Sequence, residues 1–490
     1  APPAGSPGAA PPLEDARRLA RGCARTGRLS EVLRVPGAAA LFRALADLRT
    51  AQPSAVLGAE AGGADAAAGG PEPPWDARDV VEPRSLGADA VREEVVEGDL
   101  AAIGLAANLR RRPGAAAGDT VDILVFVERL RPIGQMSGFF NAITDNRCEM
   151  DLLAHFHRAF CVVSPAEPGP EFEPALVAAR MTSGALAHPP YGPAAWSCPL
   201  PQDGRADAAG PLTVEVLDPA IWAAPLALEL RPPARRRHLV GMAACPQPLY
   251  RLESHGRLLH EWFAYHRRLG IEHWTVYDLD GSAARALTGQ ADVDVVARLP
   301  ERLGSARLRA GSAWNPICLE SIAQTQCLWR YRGRARWVTT LHSFDEYLVS
   351  VRYRGEALSA FMASVLQPLA QRGDASLAGQ RPVAALRLPA VNYGGQVALG
   401  ASAIAPVLQR FTRHDGRLYW HVVIADPTAV SSVNTTGASL MWPSTCSLYW
   451  EPEALRVNHY VDAVGARSAH EAQAFRHAEP AGAIAAWAAE

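Results

Sequence analysis

Apolar and polar positions change character twice along the chain. Residues 1 to about 12 are rich in Ala, Pro and Gly, 13 to 49 carry leucines and arginines at loosely helical spacing, and 51 to 74 are again low in complexity. This texture predicts a stem over 1–78 with one or two short helices. From Val81 the pattern turns to short apolar runs. Val121-Asp122-Ile123-Leu124-Val125-Phe126-Val127, bounded by Gly118 and Pro132, is rich in β-branched and aromatic residues and predicts a strand. Residues 159–164, 175–181 and 212–217 repeat the pattern between Pro/Gly clusters that act as turns, which predicts a β-rich module over 79–231. Pro232 to Arg237 then reads as a short, stiff, basic linker.

After His238 strand-like and helix-like runs alternate. Residues 239–244 are a short apolar strand. Leu258, Leu259, Trp262, Phe263, His266 and Leu269 fall on one helical face, with Gly270 placed to stop the helix. Residues 273–277 are extended, 282–288 helical and 293–299 extended. Pro316 suits the first turn of a helix reaching Tyr331, and 336–341 form a strand running into Ser343-Phe344-Asp345-Glu346. Strand and helix in succession predict an α/β domain over 238–490 with a largely parallel sheet and ligands at the carboxyl ends of its strands.

Composition narrows the class. The chain has 490 residues, 49% hydrophobic, which is material for more than one core. A formal net charge of −2 with dispersed signs lacks the basic footprint that nucleic acid requires. All 48 basic residues are arginine, so no phosphate-gripping P-loop lysine exists; a diphosphate must be held by arginine, backbone amides or metal. The arginine preference is also what a GC-rich genome would write. The 8 cysteines show no Cys-x-x-Cys pair, and Asn434-Thr435-Thr436 is a glycosylation sequon; both fit an oxidising compartment. No apolar run reaches the roughly 18 to 20 residues of a membrane span. The sequence begins Ala-Pro-Pro without an initiator Met, so membrane attachment is expected only through an anchor upstream of it.

Two acidic groups end predicted strands: Asp278 and Asp280, and Asp345 with Glu346. Carboxylates on such loops can share a hard divalent cation. Asp-x-Asp-Gly-Ser is equally ordinary turn chemistry. Glu261 and Tyr265 share a helix face, either lining a donor site or packing on the neighbouring strand. Trp442, Tyr449 and Trp450 are either sugar-stacking or core residues.

Cys245-Pro246-Gln247-Pro248-Leu249-Tyr250, followed by the block from Leu258 through Glu261-Trp262-Phe263-Ala264-Tyr265-His266 to Tyr277-Asp278, resembles the opening of glycosyltransferase family 92, which includes plant galactan synthases. Cys327 to Arg332, Arg336-Trp337-Val338 and Phe344-Asp345-Glu346-Tyr347-Leu348 resemble that family's helix, strand and Asp-x-Asp-Glu metal motif, and Val457-Asn458-His459-Tyr460 its terminal His-Tyr element, followed by a helix similar to 467–471. More faintly, 121–128 and Cys148-Glu149 resemble the module, a candidate for carbohydrate binding, that precedes the plant catalytic domain. The resemblance implies a GT-A fold and inverting, Mn²⁺-dependent transfer of a hexose, usually from UDP-galactose, onto a polysaccharide or glycoprotein glycan in the Golgi lumen. It implies Cys245, Pro246, Glu261, Tyr277, Asp278 and Asp280 at the nucleotide sugar and Asp345, His459 and Ser343 at the metal. Ser343 stands where the motif has its first Asp, a neutral and weaker ligand. For the general base, Glu346, Asp415 and Asp426 stay open. A homodimer is also open. The competing expectation is a catalytically weakened relative that binds glycans or scaffolds an extracellular matrix or cell wall.

Overall fold

The computed structural model describes residues 82–83, 94–97, 100–110, 120–129, 159–165, 176–183, 191–199, 212–217, 226–231, 240–296, 316–349, 358, 383–394, 407–411, 413–416, 418–434, 437–440, 446–449, 455–461, 463 and 477–478. The predicted stem, the Thr residues of the sequon, Trp442, Trp450 and the 467–471 helix lie outside them. The chain divides into two compact units, Ala1–Arg236 and Arg237–Glu490, a boundary inside the arginine-rich linker.

The first unit is built of β1 (Glu82–Pro83), β2 (Glu94–Glu97), β3 (Leu100–Arg110), β4 (Thr120–Arg129), β5 (Phe160–Pro165), β6 (Leu176–Ala178), β7 (Arg180–Ser183), β8 (Tyr191–Pro199), β9 (Leu212–Leu217) and β10 (Leu226–Arg231). They form two antiparallel five-stranded sheets, ordered β1-β10-β9-β5-β6 and β2-β3-β4-β8-β7, which pack on each other as a sandwich. The segment expected as one strand over 175–181 is two. β6 pairs in one sheet and β7 in the other, and the chain crosses between them at Ala179. A disulfide between Cys161 of β5 and Cys198 of β8 ties the sheets across a core that includes Trp196 and Val214.

The second unit follows with β11 (Val240–Pro246), α1 (Gly256–Arg268), β12 (His273–Tyr277), α2 (Ser282–Ala286), β13 (Val293–Val296), α3 (Pro316–Arg330), β14 (Ala335–Leu341), β15 (Glu346–Val349), β16 (Val383–Tyr393), α4 (Val407–Arg410), β17 (Arg413–His414), β18 (Tyr419–Ala425), β19 (Val430–Asn434), β20 (Gly437–Leu440), β21 (Cys446–Tyr449), β22 (Arg456–Tyr460) and β23 (His477–Ala478). Its large, curled sheet of 11 strands runs β13-β12-β11-β14-β18-β16-β17-β23, with β15, β21 and β22 attached beside that path, and only a few helices accompany it. The expected parallel character holds among β13, β12, β11 and β14, and again where β21 and β22 pair with β16. β18 adds antiparallel to β14, and β16 antiparallel to β18. A parallel neighbour needs a long crossover, and α1, α2 and α3 supply these among β11 to β14.

α1 forms because its apolar face meets the sheet. Leu258, Leu259, Trp262, Phe263, Tyr265 and His266 are buried, and Arg267 and Arg268 complement its carboxyl end. Gly270, at φ 98°, takes the left-handed turn that ends it.

Candidate functional site

Strand order locates the site. From β11 the chain steps outward to β12 and β13, then returns through α3 to β14 on the other side of β11. The order therefore reverses between β11 and β14, and the crevice outside their carboxyl ends is where ligands bind in open α/β sheets. Three loops border it: 247–252 after β11, 278–281 after β12 and 342–345 after β14. The Gln247 amide donates to Leu341 O at 2.6 Å, and the Leu249 amide to Tyr277 O at 2.7 Å, so the first loop lies along its neighbours.

The β12 loop spends its carboxylates on the backbone. Buried Asp278 accepts from the Gly281 amide at 2.9 Å through Oδ1 and the Ala284 amide at 2.9 Å through Oδ2. Asp280 Oδ1 accepts from the Ser282 amide and hydroxyl at 3.0 and 2.6 Å, and its Oδ2 from the Arg251 amide at 2.8 Å. Burial pushes Asp280 up, but the Ser282 and Arg251 hydrogen bonds outweigh it and hold the carboxyl below its usual value. The two groups start α2, the turn role left open above, and they fix Arg251 in a left-handed conformation at φ 54°. Asp278→Ala is expected to cost about 1 to 3 kcal/mol, since it strands buried amides. A lowered urea midpoint at unchanged slope checks this.

Other residues expected at the nucleotide sugar serve the fold. Cys245 is joined to Cys327 of α3, with Cα atoms 5.9 Å apart, so its thiol is used in fastening helix to sheet. Pro246 and Tyr277 are buried strand residues; burial raises the Tyr277 hydroxyl above its ordinary range. Glu261 Oε1 accepts from the Val407 amide at 2.6 Å and so anchors the start of α4, with burial raising its carboxyl.

Beside Glu261, α1 grips the strand that follows the acidic motif. Trp262 Nε1 donates to Glu346 O at 2.6 Å, and the Tyr265 hydroxyl to Leu348 O at 2.7 Å. The Leu348 amide donates to His266 Nε2 at 3.3 Å, while Nδ1 faces Trp262 O at 2.9 Å. One accepting and one donating nitrogen describe a neutral ring, and burial lowers its pKa to about 4.

β15 and β22 pair antiparallel, with Glu346 opposite His459 and the Tyr460 amide donating to Asp345 O at 2.8 Å. This register brings His459 Nε2 to 3.5 Å from Asp345 Oδ2. Asp345 is buried, and among the described residues its Oδ1 has no hydrogen-bond partner. Ser343 sits in the same turn, half-buried. Asn392 lies beside His459 in the parallel β16–β22 ladder and donates to Asp415 Oδ2 at 3.4 Å, so Asp415 belongs to this strand end. Asp426 does not. It follows β18, whose Ala425 pairs with Val338, and so lies toward the amino end of β14, where Thr428 caps its carboxylate. Glu346 turns inward: its Oε2 accepts from the His342 amide at 2.7 Å and its Oε1 lies 3.4 Å from His342 Nδ1. Across His342, Glu320 Oε1 stands 3.2 Å from Nε2. Nothing in the sequence pattern marked Glu320.

Among the described residues, no group of three or more His, Cys, Asp and Glu is arranged to hold a metal ion. Asp345 and His459 nonetheless suit a cation that takes two protein ligands and completes its shell with phosphate oxygens and water. The orphaned buried Oδ1 is the observation that fits this, because a buried acceptor without a partner is costly. No family model matches the chain, and no curated protein matches it.

Proposed function

We propose that the chain is an inverting, metal-assisted glycosyltransferase of GT-A type, related to family 92. In this reading it moves a hexose, with UDP-galactose the first donor to try, onto a polysaccharide or glycoprotein glycan in the Golgi lumen. The observation that carries the reading is the Asp345–His459 pair, which joins residues far apart in sequence at the strand-order reversal, with one carboxylate oxygen left without a partner. Asp345 and His459 would hold Mn²⁺, which neutralises the diphosphate leaving group when bound. The side chains that remain must orient the sugar and take a proton from the acceptor hydroxyl. Asp415 is the base we assign, because Asn392 ties it to the strand end that carries His459 and Glu346 is engaged with His342.

The Mn²⁺ complex of the correct nucleotide sugar, present at about 100 times its Kd, should stabilise the folded chain by about 2.7 kcal/mol and raise its melting temperature by roughly 5 to 10 °C. Unchanged melting across a panel of nucleotide sugars would count against the proposal.

A second reading is a weakened relative that binds glycans through the sandwich. Its support is Ser343 in place of a carboxylate, together with the full engagement of Asp278 and Asp280 by backbone amides. It predicts glycan binding that needs neither Mn²⁺ nor Asp345.

A further inference from the structure

We infer that Glu320 is a positioning residue: acting through His342 and Glu346, it fixes the turn that presents the Asp345 carboxylate, and so sets affinity for a divalent cation it never touches. The inference rests on the metal-assisted reading of the Asp345–His459 pair.

The three side chains form one buried chain of contacts from α3 to the turn. Glu320 Oε1 lies 3.2 Å from His342 Nε2, and His342 Nδ1 lies 3.4 Å from Glu346 Oε1. The last link closes the turn itself: Glu346 Oε2 accepts the His342 amide at 2.7 Å, and the Glu346 amide donates to Ser343 O at 3.2 Å. Ser343, Phe344 and Asp345 are the residues enclosed. The Asp345 carboxylate takes its place from this turn: among the described residues its Oδ1 makes no hydrogen bond, and its Oδ2 stands 3.5 Å from His459 Nε2.

A network of this kind is a poor stability device. Taking two carboxylates and an imidazole out of water is costly, and replacing such a network whole by apolar groups is often neutral, although removing one member alone is destabilising. Its geometry suits a different task. Outer residues that orient a metal's ligands commonly change affinity about 10 to 100-fold when removed. Burial, and after it the charge of Glu346, raises the Glu320 carboxyl well above its ordinary value, which favours the neutral acid. A glutamine at the same place keeps a polar group facing His342 Nε2.

The test uses the full chain and Mn²⁺ alone, with the free-ion electron paramagnetic resonance signal reporting binding and a melting curve taken on the metal-free protein. Glu320→Leu keeps the volume and removes the polar link. It is expected to weaken Mn²⁺ binding by the folded protein about 10 to 100-fold, more than its lower melting temperature accounts for. Glu320→Gln is expected to recover binding to within about threefold, as retention of the polar contact with His342 requires. His342→Leu cuts the chain at its middle link and should lose as much as Glu320→Leu. Ordinary affinity in either folded leucine variant, or affinity that falls only in step with melting in all three, overturns the inference. If wild type itself binds no Mn²⁺, the metal reading fails and takes this inference with it; if wild type binds and the variants bind equally, only this inference fails.

Discussion

Asp345→Ala is expected to lower sugar transfer, or hydrolysis of the nucleotide sugar, by at least about 100-fold, the scale on which removal of one preorganised charge-stabilising group is felt. The metal-free protein should meanwhile be as stable as wild type or more stable by about 1 kcal/mol. The two effects have one source. Asp345 is buried with Oδ1 unpartnered, so folding bears the desolvation of a carboxylate that the protein itself does not satisfy. A residue whose removal costs function and relieves the fold is one kept for a ligand. Steady-state assays alongside urea titrations separate this from a structural role, in which stability would fall together with rate. Retained activity with ordinary Mn²⁺ dependence would remove Asp345 from the site.

Trp262→Ala is expected to destabilise the second unit by about 4 to 6 kcal/mol. Truncating a buried tryptophan costs about 3 to 5 kcal/mol, and the loss of its Nε1 hydrogen bond leaves Glu346 O without that donor, about 1 kcal/mol more. The ring is fully buried, edge-on to Phe263 at 5.0 Å and 4.7 Å from His266. Set against a typical total of about 5 to 15 kcal/mol, the variant stands near the threshold of folding. Trp262→Phe keeps most of the volume and should lose only about 1 to 2 kcal/mol, the share of the hydrogen bond and a few contacts. Urea midpoints for the pair check the division. Equal losses would mean that the hydrogen bond to β15, rather than the ring, carries the effect.

That hydrogen bond explains a motif whose purpose the sequence hid. Glu261-Trp262-Phe263-Ala264-Tyr265-His266 was legible as a helix face because Trp262, Phe263 and His266 recur at helical spacing. Periodicity says which side is buried and nothing about what it meets. Three of these side chains bond the backbone of β15, some 80 residues later, and a fourth starts α4. Asp278 and Asp280 read equally well as ligands or as turn formers, since both roles ask for a carboxylate before a glycine; only the amides around them decide. Cys245 gave no sign of its partner 82 residues away, because connectivity is not written in spacing.

The antiparallel strands were harder to read. β16 carries Pro389 and shifts register beside it, which breaks the alternation that would mark a strand. β8 opens with Gly192 and Pro193, turn residues by composition, yet pairs along its whole length with β4. In the first unit β6 and β7 alternate as one strand would, and the step between sheets at Ala179 leaves no trace in that pattern. The first four strands of the second unit were clearer. Each is a short apolar run ended by turn residues, and the helices between them have their own period.

The register of β15 with β22 also bears on synthesis. Glu346 waits for His459 through more than a hundred residues of intervening chain, so the pair is a late, non-local contact. A chain emerging amino end first can assemble β11 through β14 while the Asp345–His459 pair is still half made. The Asp345–His459 contact therefore forms only once β22 has docked, and slow refolding should restore helical signal well before it restores that contact.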